Sequence, residues 1–172
     1  LRQRVGSPCV VAHLAADLQV APKTVAHWIE ILERMYLVFV VRPHVGKLAR
    51  ALHKPPKIYF FDNADVLGDE GARFENLVAT HLLKQLHRRE DLTGERWELR
   101  YVRDKEGHEV DFVLLCEGRV MQLIEAKWAD PEPSRSLYYF AERLSPQRAV
   151  QIVGRLKRPT RKGAVEVVGA VE

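Results

Sequence analysis

Residues 107–127 read GHEVDFVLLCEGRVMQLIEAK, and the fold turns on how this stretch is paired. Glu109–Cys116 and Arg119–Lys127 are rich in β-branched and apolar residues, and Glu117-Gly118 between them suits a tight turn, so the stretch predicts a β-hairpin. Side chains alternate along a strand, which puts Glu125 and Lys127 on the same face. Asp111 lies on the first strand. A three-residue connection would set it directly opposite Glu125, with Cβ atoms about 5 Å apart. Two carboxylates and an ammonium then share one small area.

Carboxylates that close repel each other unless a cation or a proton joins them, and an acidic, oxygen-rich site suits Mg²⁺ or Mn²⁺. Such an ion polarises a phosphoryl oxygen and activates water, while Lys127 would position that water or stabilise the pentacovalent charge. The expected chemistry is phosphodiester hydrolysis. Spacing alone leaves a second possibility open: Glu125 and Lys127 as an exposed strand pair, with Asp111 completing a surface salt bridge to Lys127.

Outward from the hairpin, Trp97–Val102 reads as a strand, with the turn Asp104–Gly107 after it. Residues Asp69–Arg89 form the longest helical pattern, with Phe74, Leu77, Val78, Leu82 and Leu86 along one stripe and Glu75 at its margin. Beyond Pro131 and Pro133, Ser134–Leu144 predicts a helix and Ala149–Val153 a strand. The order is helix, three strands, helix, strand. Nearer the N-terminus, helical patterns run from Pro8 to Leu18 and from Pro22 to Met35, the latter with Val25, Trp28, Ile29 and Leu32 on one face. Two strand-like runs follow, Tyr36–Val41 and Ile58–Phe61, which would form the strands of a wing. The expected class is α/β, with a winged helix-turn-helix over residues 1–62 and a second α/β unit over 63–172.

The segment Glu109-Val110-Asp111-Phe112, the fourteen positions from Asp111 to Glu125, and Glu125-Ala126-Lys127 together resemble the PD-(D/E)XK nuclease superfamily. Phe74-Glu75-Asn76 matches the acidic residue on its first core helix. Val110 stands where the motif has Pro. More narrowly, nearly the whole chain is similar to the C-terminal domain of unknown function found in predicted AAA ATPases of bacteria and archaea. The matching words are Leu14-Ala15-Ala16-Asp17-Leu18, Pro22-Lys23-Thr24-Val25, Ile31-Leu32-Glu33, Lys57-Ile58-Tyr59-Phe60-Phe61-Asp62, Phe74-Glu75-Asn76 and Gly107-His108-Glu109-Val110-Asp111-Phe112. The resemblance implies a restriction-endonuclease-like α-β-β-β-α-β core, with Glu75, Asp111 and Glu125 as ligands of Mg²⁺ or Mn²⁺ and Lys127 as the catalytic lysine. It also implies an ATPase module upstream. No G-x-x-x-x-G-K-[ST] phosphate loop occurs in these 172 residues, so this piece is not expected to hydrolyse ATP.

DNA is the expected partner. Lys23, Thr24 and His27 would face a groove if Pro22–Met35 were a recognition helix, although Glu30 and Glu33 offset Lys23 and Arg34. Packing against the ATPase or another subunit is the competing use of that helix. The run Arg155–Lys162 holds five Lys or Arg, and Arg155, Lys157 and Arg158 are candidate phosphate contacts; otherwise the run is a solvated loop. His108 either borders the acidic site or is an exposed turn residue. Glu109 shares a strand face with Asp111 and either supports the site or pairs with a neighbouring Arg.

The bulk properties fit this picture and exclude others. Twenty-seven Lys and Arg against 23 Asp and Glu give a net charge of +4, an excess that permits nucleic-acid binding without demanding it. Two distant cysteines, Cys9 and Cys116, give neither a disulfide framework nor a zinc site. No apolar run nears the roughly 18 residues of a membrane span, and no leader pattern opens the chain, so a cytoplasmic setting is expected. A start at Leu1, almost directly into a helical pattern, suggests a piece of a longer polypeptide. The leading expectation is a metal-dependent DNA endonuclease; the alternative is a catalytically inactive DNA- or protein-binding module that regulates the ATPase.

Overall fold

A strand buried on both faces is apolar along its length, whereas a strand with one wet face alternates. Glu109–Cys116 is of the first kind: Val110, Phe112, Val113 and Leu114 are wholly enclosed. It lies in the middle of the sheet. The computed structural model describes residues 1–44, 54–156 and 158–170. Lys157, an expected phosphate contact, falls outside the described residues.

The chain runs α1 (Val11–Leu18), α2 (Pro22–Arg34), β1 (Val38–Pro43), β2 (Lys57–Phe60), a 3₁₀ turn at Asn63–Asp65, α3 (Glu70–Thr93), β3 (Trp97–Arg103), β4 (Glu109–Cys116), β5 (Arg119–Lys127), α4 (Arg135–Leu144), β6 (Arg148–Val153), β7 (Thr160–Lys162) and β8 (Val165–Gly169). The strands form one mixed sheet ordered β2-β1-β3-β4-β5-β6-β8-β7. The α/β class and the succession helix, three strands, helix, strand are both present, as α3-β3-β4-β5-α4-β6. No described helix is long and apolar enough to cross a membrane.

Two side-chain caps fix where the main helices begin. Asp69 accepts a hydrogen bond from the Ala72 amide at 2.8 Å and starts α3, and Ser134 accepts from Leu137 at 3.1 Å and starts α4. Gly94, at φ 70°, ends α3. On one face of the sheet α3 and the two N-terminal helices enclose Phe74, Val78, Leu82, Tyr59, Phe112 and Leu114. On the other, α4 covers Val110, Val113, Leu115 and Leu123.

Several expectations need correction. The β4–β5 connection is the two-residue turn Glu117-Gly118, both at positive φ, 49° and 75°, not three residues. The missing residue is supplied by a bulge: Cys116 pairs with Arg119 and Leu115 with Val120, but Leu114 pairs with Gln122, leaving Met121 over. Continued from Phe112↔Ile124, that register still sets Asp111 opposite Glu125. Leu77 is 39% exposed and Trp28 44%, so neither belongs to its buried stripe. β7 and β8 were not expected from the sequence, and β7 turns part of the basic run into an edge strand. The hairpin of β1 and β2 also joins the main sheet, β1 lying parallel to β3 through Arg42↔Arg100 and Pro43↔Tyr101.

A second bulge bears on the site. Arg100 pairs with Val113 and Val102 with Val110, so Tyr101 alone faces both Asp111 and Phe112. Val110 and Val113, three positions apart, accordingly lie on the same α4 side. An inserted residue re-aims the side chains after it, and here the re-aimed residue is Asp111.

Candidate functional site

The second turn of α3 is clamped to β2. Asn76, fully buried, accepts a hydrogen bond from the Phe60 amide at 2.8 Å and donates to the Phe60 carbonyl at 3.0 Å. One residue earlier, Glu75 is thereby held beside Tyr59 and Lys57: the Tyr59 hydroxyl donates to Glu75 Oε1 at 2.7 Å. Lys57, with only 1% of its side chain exposed, places Nζ 3.3 Å from Glu75 Oε1, 2.7 Å from Glu109 Oε1 and 3.3 Å from Asp111 Oδ1. The other oxygen of Asp111 accepts from the Ala126 amide at 3.0 Å, which locks β4 to β5 at this end.

Glu125 completes the group. Its Oε1 lies 2.9 Å from Lys127 Nζ, while its Oε2 is buried with no hydrogen-bond partner. The N-terminal segment closes over the cluster at Gly6, whose φ is +73° and where an added Cβ would lie 2.7 Å from the Glu75 carboxylate oxygens. Only a residue without a side chain fits there.

The electrostatics follow from this enclosure. Four carboxylates, Glu75, Glu109, Asp111 and Glu125, share Lys57 and Lys127, and Arg103 reaches the outer oxygen of Glu109 at 3.2 Å. Burial, then the charge of Asp111, pushes the Glu75 carboxyl up to about 7 against the pull of Lys57 and the Tyr59 hydroxyl. Burial and Asp111 likewise raise Glu125 to about 7 despite Lys127. Burial would lower the Lys57 ammonium, but Asp111, Glu75 and Glu109 outweigh it and hold the proton firmly. Lys127 is raised too, because Glu125 overcomes the cost of burial. Fully ionised, the four carboxylates would outnumber Lys57, Lys127 and Arg103 by one negative charge, and the raised Glu75 and Glu125 carboxyls are how the metal-free centre avoids that excess.

That excess is what a bound cation would relieve. The unpartnered Glu125 oxygen beside Asp111 suits Mg²⁺ or Mn²⁺. Glu75 is already engaged by Tyr59 and Lys57. Among the described residues, the set of three donor atoms within 4.8 Å of one another is a different one, Asp104, Glu106 and His108 in the β3–β4 turn.

The structure therefore brings Glu75, Asp111, Glu125 and Lys127 together. Glu109 pairs with Lys57 and, as one of its two expected roles had it, with a neighbouring arginine, Arg103. His108 belongs to the turn: its Nδ1 lies 2.9 Å from Asp104, and its ring stacks on Tyr139 with centroids 4.3 Å apart. Asp111 pairs with Lys57 rather than forming a bridge to Lys127. Lys23 and His27 are exposed and Thr24 half-buried on α2; among the described residues no hydrogen bond or ion pair ties them to the acidic centre. Arg158 is exposed. Arg155 sits closer, since β6 ends level with Lys127, its amide donates to the Trp128 carbonyl at 2.9 Å, and its guanidinium lies 4.9 Å from the Trp128 ring centroid.

The sequence pattern does not single out Lys57 and Tyr59. One signal was available: a lysine opening a run of four apolar residues, on the same strand face as a tyrosine two positions later.

A family model described as Domain of unknown function (DUF4143) matches residues 70–171, and one described as Domain of unknown function (DUF8612) matches residues 1–65. No curated protein matches the chain, and no solved structure does.

Proposed function

Since the chain belongs to the DUF4143 family, and since its acidic residues converge on one enclosed centre, we propose that it is a metal-dependent phosphodiesterase acting on DNA. In this proposal residues 70–171 form a PD-(D/E)XK nuclease core and α1, α2, β1 and β2 a winged helix, the whole serving as the C-terminal region of an ATPase. One observation carries the proposal: Glu125 keeps a buried, unpartnered oxygen opposite Asp111, the arrangement of a centre short of one cation.

Asp111 and Glu125 would hold Mg²⁺ or Mn²⁺, with Glu75 beside them. When bound, the ion supplies Lewis acidity toward a phosphodiester. The attacking water forms a bond to phosphorus as the ester P–O bond breaks, and its proton passes to the leaving oxygen. Lys127 keeps its proton next to Glu125, so its part is to stabilise charge on the pentacovalent phosphorus rather than to act as base. The Ala126 amide holds Asp111 in place for this. Arg155 and Arg158, on the loop after β6, would meet phosphates, and α2 with Lys23, Thr24 and His27 would meet a groove.

A second reading, a catalytically silent DNA- or protein-binding module, is favoured by the contacts of Lys57, which give three of the carboxylates a partner. Thermal melts separate the two. Mn²⁺ at millimolar concentration should raise the Tm of the parent chain over its value in EDTA, since a ligand of the folded state alone stabilises by RT ln(1 + [L]/Kd). Asp111→Asn should lose that rise, and a Mn²⁺-dependent cut of duplex or single-stranded DNA should vanish with it. No Mn²⁺ shift in the parent would sink the phosphodiesterase.

A further inference from the structure

Most lysines meet water at their tips, with only the stem lying along apolar surface. Lys57 does the opposite. Its β2 backbone pairs with β1, its side chain is 1% exposed, and the Tyr101 ring centroid lies 5.5 Å from its Nζ. An ammonium has three donors and no acceptor, and this one has three carboxylate neighbours, one from α3 and two from β4. Its bonding capacity is used up inside the protein.

The centre thus divides in two. Glu75, Glu109 and one oxygen of Asp111 surround Lys57. On the other side lies Glu125, with the buried oxygen that has no hydrogen-bond partner. We propose that the Lys57 ammonium is a built-in cation, standing where a divalent ion would otherwise sit among Glu75, Glu109 and Asp111, and confining any exchangeable ion to the Asp111–Glu125 side. The exchangeable ion rests on the phosphodiesterase reading; the place of Lys57 does not.

This assignment makes β2 part of the site. The carboxylates lie between residues 75 and 125, whereas Lys57, Tyr59 and Gly6 come from the segment before them. A fixed ammonium differs from a second metal in consequence: it cannot dissociate, and it carries one positive charge instead of two. Half of the centre is therefore insensitive to chelators.

The test is a Mn²⁺ titration of the full chain by calorimetry, with bound Mn²⁺ counted by electron paramagnetic resonance. Lys57→Met keeps an unbranched apolar stem and removes the charged tip. It should bind one Mn²⁺ more per chain than the parent, and Lys57→Arg should bind no more than the parent. Where Lys57→Met does not fold in EDTA, recovery of its cooperative melt in Mn²⁺ reports the same gain. Equal stoichiometry in the parent and a folded Lys57→Met, or no rescue by Mn²⁺ of an unfolded one, overturns the assignment. A parent that binds no Mn²⁺ beside a variant that binds one upholds Lys57 as the built-in cation and overturns the phosphodiesterase. A parent and a variant that each bind one overturn Lys57 alone.

Discussion

The molecule has two acidic clusters that adjoin at the start of β4, and they are opposites. In the β3–β4 turn, Asp104, Glu106 and His108 bring their donor atoms within 4.8 Å of one another, with Glu106 exposed and Asp104 and His108 half-buried. At the start of β4 and the end of β5, the carboxylates are spread around an enclosed lysine. The turn lowers a carboxyl: burial works against it, but the His108 ring, the Tyr139 hydroxyl and the His108 amide hold Asp104 below its ordinary 3.8. The enclosed centre raises two carboxyls to about 7. Closeness of acidic atoms thus says little by itself. What separates the two is partners: donors hold Asp104 on every side that the turn offers, whereas one buried oxygen of Glu125 has none.

The sharpest difference between the clusters should come from removing a cation from each. In EDTA, Lys57→Met leaves three carboxylates facing one another without their counter-ion, and loss of one partner of a buried pair costs about 3–5 kcal/mol. Denaturant unfolding at pH 7 should show a loss of that size; a loss under about 1 kcal/mol would mean that the carboxylates relax into water, and the contrast would collapse.

The two clusters should next differ in the sign of their pH dependence. Glu75 and Glu125 hold protons in the folded state up to about 7 that the unfolded chain releases near 4.5. The folded state binds more protons in that window, so metal-free stability from these groups is fully present below about 4.5 and is lost as pH rises toward 7. Asp104 runs the other way, its contribution present above 3.8 and lost as pH falls. Glu125→Gln should flatten the first slope and stabilise the protein at pH 8 by roughly 1–3 kcal/mol. Stability curves of parent and variant from pH 4 to 8 in EDTA check this; parallel curves would contradict it. The smallest effect belongs to the turn, where His108→Ala should cost roughly 0–1 kcal/mol by denaturant melt.

How much of this was legible depended on which interactions were local. The strands Glu109–Cys116 and Arg119–Lys127 were readable to the residue, because a continuous apolar run and a Glu-Gly turn are features of neighbouring positions. The juxtaposition of Asp111 with Glu125 was reached through the wrong turn length, since a bulge at Met121 restores the residue that the two-residue turn omits. Lys57 could not be read as buried. Charged residues are almost never enclosed unless paired, and its partners lie 18 to 54 positions away. Nor could the burial of Leu77 and Trp28 be settled from periodicity, which gives the direction of a side chain and not what covers it. β8 is an apolar run, Val165-Glu166-Val167-Val168, interrupted by one acid; its parallel pairing with β6 is a non-local event.

The close pass of Gly6 over Glu75 has a consequence for how such chains can diverge. With φ at +73° and the carboxylate 2.7 Å from where a Cβ would stand, position 6 cannot gain a side chain while position 75 keeps its glutamate in this rotamer. The two positions are separated by most of the N-terminal half of the chain, yet they are bound in one epistatic pair. A larger residue at 6 needs the acid at 75 to shorten or turn away and still meets the strain of its positive φ, and that change would strip Tyr59 and Lys57 of a shared partner. Drift at the sixth residue is therefore tied to the chemistry of the acidic centre, and the two should be inherited together.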